Sequence, residues 1–192
     1  MNFEENFTRS KITRRDMLAK MGTGLVAITV SSVWGQISPS QARAKGVALR
    51  NLTTVEGRTL EALGDILLPG ASEAGIAHYV DDQLSRENPL FVLKYMDYVG
   101  SYTEFYKQGL QSLERQSLAN HGQPFDTSTL EQKVALVREI SQKNPDGWSG
   151  PPAPLFYFVT RNDAVDVYYG TTRGFEKLAI PYMAHIIPPQ KW

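Results

Sequence analysis

The side chains that could do chemistry in this chain are three histidines and a few neighbouring carboxylates; there is no cysteine. A zinc site needs three or four histidine, cysteine or carboxylate ligands at suitable spacing, and His78, His121 and His185 lie far apart in the sequence. His78 and Asp82, four residues apart on a predicted helix, could offer two ligands from one face. A solvated helix face is the simpler reading of His78, Asp81 and Asp82. His121, between Asn120 and Gly122, reads as a turn residue. His185 sits among apolar residues and prolines, where a hydrogen-bonded structural histidine and a partner contact both fit. The carboxylate pairs Asp81-Asp82 and Asp163 with Asp166 read as solvated surface rather than general acid and base. There is no Gly-x-Ser-x-Gly elbow, no phosphate loop and no dinucleotide fingerprint. Without cysteine there is neither a thiolate-held iron–sulfur cluster nor a Cys-x-x-Cys-His haem attachment. The residues therefore nominate no catalytic, cofactor-binding or metal-binding set, and the chain is read as not an enzyme.

The elements that would position such residues are helical. Thr53-Thr54-Val55-Glu56 is a capping box, Leu60, Leu63 and Leu67 follow at helical spacing, and Pro69-Gly70 stops the helix. Ile76, Val80 and Leu84 mark a second short helix, ended near Asn88-Pro89. Val92, Tyr95, Met96, Val99, Tyr102, Tyr106, Leu110 and Leu113 predict one long amphipathic helix from Phe91 to Leu118. Gly100 and Gly109 lower its propensity by about 1 kcal/mol each, so packing must hold it. Ser128-Thr129-Leu130-Glu131 predicts a further cap, with Leu130, Val134, Val137 and Ile140 inward. A loop follows from Asn144 to Pro154. A last helix runs from Leu155 to Tyr169, with Phe158, Val159 and Val165 inward and Gly170 as a left-handed cap. The expected fold is all-α: a small bundle of about five helices, then a proline-rich, apolar tail. In that tail Phe175, Leu178, Ile180, Tyr182, Met183, Ile186, Ile187 and Trp192 alternate with Pro181, Pro188 and Pro189, which forbid a long helix. Packing of the tail on its own bundle is the preferred reading, since a free tail this apolar would be a sticky patch.

The N-terminus carries the sharpest signal. Arg14 and Arg15 stand in Thr13-Arg14-Arg15-Asp16-Met17-Leu18-Ala19-Lys20, ahead of a mildly apolar stretch from Met21 to Val33 and then Ala42-Arg43-Ala44. A basic segment, a short apolar core and a small-x-small site form an export signal, and the paired arginines with Leu18 make it the twin-arginine (Tat) type. The apolar core is shorter than the ~20 residues of a membrane span. Cleavage is expected after Ala44, at the Ala42-x-Ala44 site, dividing the chain into a signal peptide, 1–44, and a mature domain, 45–192. Of 20 basic and 20 acidic side chains, six and three lie in residues 1–44. Residues 45–192 therefore hold 14 basic and 17 acidic groups, a formal net of −3. Nucleic acid, which calls for a clustered basic surface, is not a predicted partner.

Leu52-Thr53, then Thr59-Leu60-Glu61-Ala62-Leu63-Gly64-Asp65-Ile66-Leu67-Leu68-Pro69-Gly70, Ala71-Ser72-Glu73-Ala74-Gly75-Ile76, Tyr79-Val80-Asp81, Leu84 and Val167-Tyr168-Tyr169-Gly170 together resemble the gluconate 2-dehydrogenase subunit 3 family. These are the small or gamma subunits of bacterial flavin-dependent sugar dehydrogenases, and the resemblance covers most of residues 50–192. It implies an accessory, non-catalytic role beside a large FAD-carrying flavoprotein of the glucose–methanol–choline (GMC) class. A cytochrome c subunit carrying haem c is a frequent third member. The large subunit commonly lacks an export signal, so the small one lends its own to the Tat translocase and supports the partner's maturation and stability. The resemblance implies a periplasmic location, with any membrane association made through other subunits. Tyr168, Tyr169 and Trp192, of types enriched at interfaces, are candidate partner contacts, together with His185 in its apolar, proline-rich setting. Two other readings stay open: a stand-alone periplasmic helical binding or structural protein, and an enzyme with an unrecognised carboxylate–histidine site.

Overall fold

Thr53 begins the first long helix as its sequence predicts: its hydroxyl accepts the Glu56 amide at 3.2 Å, and Glu56 accepts the Thr53 amide at 2.8 Å. A computed structural model of the chain describes residues 30–32, 35–170 and 178. Their elements, in order, are β1 (Val30–Ser32), β2 (Gly35–Ile37), α1 (Pro39–Ala44), α2 (Thr54–Leu67), α3 (Ala71–Ala74), α4 (Ile76–Leu84), α5 (Val92–Tyr95), α6 (Tyr102–His121), α7 (Leu130–Gln142) and α8 (Ala153–Tyr169). The strands form one small antiparallel ribbon, Val30 opposite Ile37. The fold is all-α, with eight helices among the described residues rather than about five. The added ones, α1, α3 and α5, are short, of six, four and four residues.

The long helix expected from Phe91 to Leu118 is broken. Gly100, at φ +154°, takes a conformation that favours glycine, and Ser101 then caps α6 by accepting the Glu104 amide at 3.2 Å. Ser101-Tyr102-Thr103-Glu104 is itself a start signal placed directly after a glycine. Tyr95, Met96 and Val99, expected inward, are exposed. On α7 the cap is Thr129, with Gln132 as its reciprocal partner, rather than Ser128. That leaves Leu130 in the first turn, exposed. On α8, Phe158 and Val165 are each 41% exposed, while Phe156, Val159, Ala164 and Val167 are buried. The inward stripe is thus rotated from the expected one. Gly170, at φ −71°, is not a left-handed cap.

The core is a single cluster closed by α2, α4, α6, α7 and α8. At its centre Phe91 meets Tyr106 at 4.9 Å and Tyr102 at 5.8 Å between ring centroids, and Phe105 meets Tyr106 at 5.5 Å. Phe156 joins Phe105 and Trp148, both at 6.1 Å. Such edge and tilted pairs add to simple area burial.

Candidate functional site

Three gatherings of polar groups in the described residues bear on a site, two of them held out of water and the third in an open cleft. The first is the strap of chain before α2. Asp81 of α4 accepts the backbone amides of Arg50 and Asn51 at 2.8 Å and of Leu52 at 2.9 Å. The Asn51 side chain returns a bond to the Asp81 carbonyl at 2.8 Å and another to Ser85 Oγ at 2.8 Å. Next to it, Asp82 takes Arg86 Nε at 2.8 Å. His78 Nε2 faces the Val47 carbonyl at 2.8 Å; a carbonyl can only accept, so this nitrogen carries the proton. Asp81 and Asp82 are 4% and 5% exposed, so the solvated face expected for them is not what forms. Their lone pairs are used to fix chain direction, and His78 and Asp82 serve different partners rather than one ligand. Among the described residues no group of three or more histidines and carboxylates is placed to hold a metal ion.

The second is a buried pair between α6 and α8. Tyr106 Oη donates to Asp163 Oδ2 at 2.6 Å with both residues buried. Burial pushes the Asp163 carboxyl up to about 8, against the lowering effect of the Tyr106 hydrogen bond; Asp166 adds to the rise. Burial likewise raises the Tyr79 and Tyr106 hydroxyls, with the negative field of Asp163 next. Reading Asp163 as solvated surface missed this pair. The signal was available: Phe156, Val159, Thr160, Asp163, Ala164 and Val167 recur at i, i+3, i+4, i+7, i+8 and i+11, which places Asp163 in the apolar stripe.

The third is an open cleft of about 350 Å³ between α2 and α6, lined by Thr53, Glu56, Thr59, Gln111, Glu114 and Arg115 among others. Its acids also have structural partners. Glu56 closes the α2 cap and accepts Gln111 Nε2 at 3.1 Å. Glu114 accepts the Phe125 amide at 3.1 Å and the Thr59 hydroxyl at 3.3 Å.

Of the residues predicted to contact a partner, Tyr168 and Tyr169 lie together at the end of α8, ring centroids 4.8 Å apart and nearly perpendicular. Both are half-buried. Tyr168 lies over Gly70, where a Cβ would stand 2.9 Å from its Cε2, so the end of α8 is pinned to the turn between α2 and α3. His185 and Trp192 lie outside the described residues, as do Arg14, Arg15 and Leu18 of the export signal. Ala42 and Ala44 are described: both belong to α1, and Ala42 is fully buried.

A family model for gluconate 2-dehydrogenase subunit 3 matches residues 54–186. No curated protein and no solved structure matches the chain. The matched span runs from the start of α2 through α8 and well into the apolar segment beyond it.

Proposed function

We propose, because this chain belongs to the gluconate 2-dehydrogenase subunit 3 family, that it is the non-catalytic small subunit of a flavin-dependent sugar or sugar-acid dehydrogenase complex. It binds a GMC-class large subunit carrying FAD, and its twin-arginine signal takes that folded partner to the periplasm. The family match over residues 54–186 is the observation that carries this reading. Three features support it. Arg14-Arg15 heads a leader of the type that exports folded cargo. The buried acids of the described domain hold backbone amides, Arg86 or Tyr106, which are structural duties. The end of α8 offers Tyr168 and Tyr169 partly exposed, directly before an apolar segment.

The experiment co-expresses this chain with its flavoprotein and replaces Arg14 and Arg15 by lysine, which keeps charge but loses the planar guanidinium fork. Flavin-dependent sugar oxidation should then remain in the cytoplasm, whereas the unaltered pair delivers it to the periplasm. A partner that arrives fully active beside the double-lysine variant overturns the carrier role. Sugar oxidation by this chain alone, with a dye acceptor and no flavoprotein, overturns the non-catalytic role.

A further inference from the structure

The export reading puts a scissile bond between Ala44 and Lys45, yet in the folded chain that bond lies in the last, hydrogen-bonded turn of a docked helix, α1. Ser38 caps α1 with a full capping box: its hydroxyl accepts the Gln41 amide at 3.2 Å, and Gln41 Oε1 accepts the Ser38 amide at 3.0 Å. At the other end Lys45 donates to the Gln41 carbonyl at 3.0 Å, Gly46 to Arg43 at 3.0 Å and Val47 to Ala42 at 3.0 Å. The amide on the far side of the cut is therefore held in the last turn. Ala42, whose small side chain a peptidase would read, is fully buried and Pro39 is buried with it.

The domain itself is shaped to receive this segment. Gly75, between α3 and α4, has φ +89°, and a Cβ there would stand 2.3 Å from the Pro39 carbonyl carbon and 2.4 Å from its oxygen. The backbone of Pro39 thus rests directly on Gly75, which lies within the family-matched residues 54–186. Arg43 Nε pairs with Glu61 Oε1 of α2 at 2.8 Å. Further on, Leu49 fills the space over Gly57, where a Cβ would meet its Cδ1 at 2.5 Å. His78 holds the Val47 carbonyl, and Asp81 holds the amides of residues 50–52. Residues 38–52 are one continuous strap along α2 and α4.

We propose that residues 38–44 are a permanent part of the folded subunit, and that folding shields the Ala44–Lys45 bond from the signal peptidase. Ala44 and Lys45 are themselves exposed, but a protease needs its substrate backbone free and extended, and a hydrogen-bonded helical turn anchored by a buried Ala42 is cut only through local opening. Proteins on the twin-arginine route fold before they cross, so α1 is already docked when the leader meets the peptidase. Any processing then falls before Ser38, and the exported subunit keeps its α1. This rests on the reading of residues 1–37 as part of an export leader.

Two measurements test it on the full chain. The N-terminus of the exported complex, read by intact mass and sequencing, should lie at or before Ser38; Lys45 as first residue overturns the proposal. Hydrogen exchange of the purified full-length chain should slow the amides of Lys45 and Val47 by about 100-fold or more against a free peptide of residues 36–50. Exchange at the free-peptide rate overturns it too. The second measurement stands even where the chain fails to leave the cytoplasm, an outcome that sinks the export reading instead. Gly75→Ala keeps Ala42-Arg43-Ala44 intact but drives a methyl into Pro39. In that variant the slowed exchange of Lys45 should be lost while α6 and α8 stay protected. Unchanged exchange at Lys45 would mean that Gly75 is not the seat.

Discussion

Tyr106 and Asp163, 57 residues apart in sequence, meet through a hydrogen bond of 2.6 Å in the interior between α6 and α8. The carboxyl group is the unusual partner. Burial raises it from 3.8 to about 8, so the folded chain keeps a proton that the unfolded chain releases near pH 4. Below about pH 4 both states hold it. Between about pH 4 and 8 only the folded state does, so stability falls as pH rises, by at most about 1.4 kcal/mol per unit. Above about 8 the loss is complete. Asp163→Asn, which keeps the shape and an acceptor for Tyr106, should remove this slope. Urea unfolding of both proteins at pH 5, 6 and 7 checks it; parallel curves for the two would refute it.

Gly109 lies under Phe156, and a Cβ at 109 would stand 2.3 Å from the ring. Helix propensity alone favours alanine there by about 1 kcal/mol. Phe156 is fully buried and cannot swing away, and overpacking of a core costs about 1–3 kcal/mol. Gly109→Ala should therefore destabilise the chain, and Phe156→Leu in the same protein should recover part of that loss. A stabilised single variant would show that the ring yields.

Asp81→Ala removes one acceptor from three backbone amides at once. With charged hydrogen bonds each contributing about 1.5–3 kcal/mol, and water replacing some of them, a loss of about 2–4 kcal/mol is expected. Thermal unfolding gives the size, and hydrogen exchange should find the loss of protection concentrated at residues 50–52. A loss below about 0.5 kcal/mol, the range of ordinary surface changes, would mean the strap is held by Gly57 and His78 instead.

The rotated stripe of α8 is testable by pairs. Phe158→Ser and Val165→Ser, at positions 41% exposed, should each change stability by no more than about 0.5 kcal/mol. Val159→Ala, one residue from Phe158 but buried, should cost about 2 kcal/mol through lost burial and the cavity it leaves. If the serines prove the more damaging, the face is assigned wrongly.

Much of the fold is legible in the chain because its signals are local. The Thr53 cap, the Pro69-Gly70 stop and the Leu60-Leu63 spacing need only a few residues to act, and α2 forms where they place it. The break before α6 was equally local, written in Gly100 and the Ser101 cap, but an uninterrupted apolar pattern from Val92 to Leu113 masks it. Of the three added helices only α5 arises in this way; α1 and α3, of six and four residues, are too short to show an apolar period of their own. Exposure is the usual state of an acid, and the partners that bury Asp81 and Asp163 lie 30 and 57 residues away; the partner of Asp82, Arg86, is local, four residues on.

The sequence by itself determined what depends on neighbours along the chain: helices, their caps, an Arg14-Arg15 leader pattern, and the apolar, glycine and proline spacing that carries the family. Tertiary structure decided which groups Asp81 and Asp163 meet and where the strap of residues 38–52 rests. Those outcomes turn on close approach between distant backbones, as where Pro39 lies on Gly75. A glycine records that approach only as a missing side chain, and no spacing rule says what will fill the space.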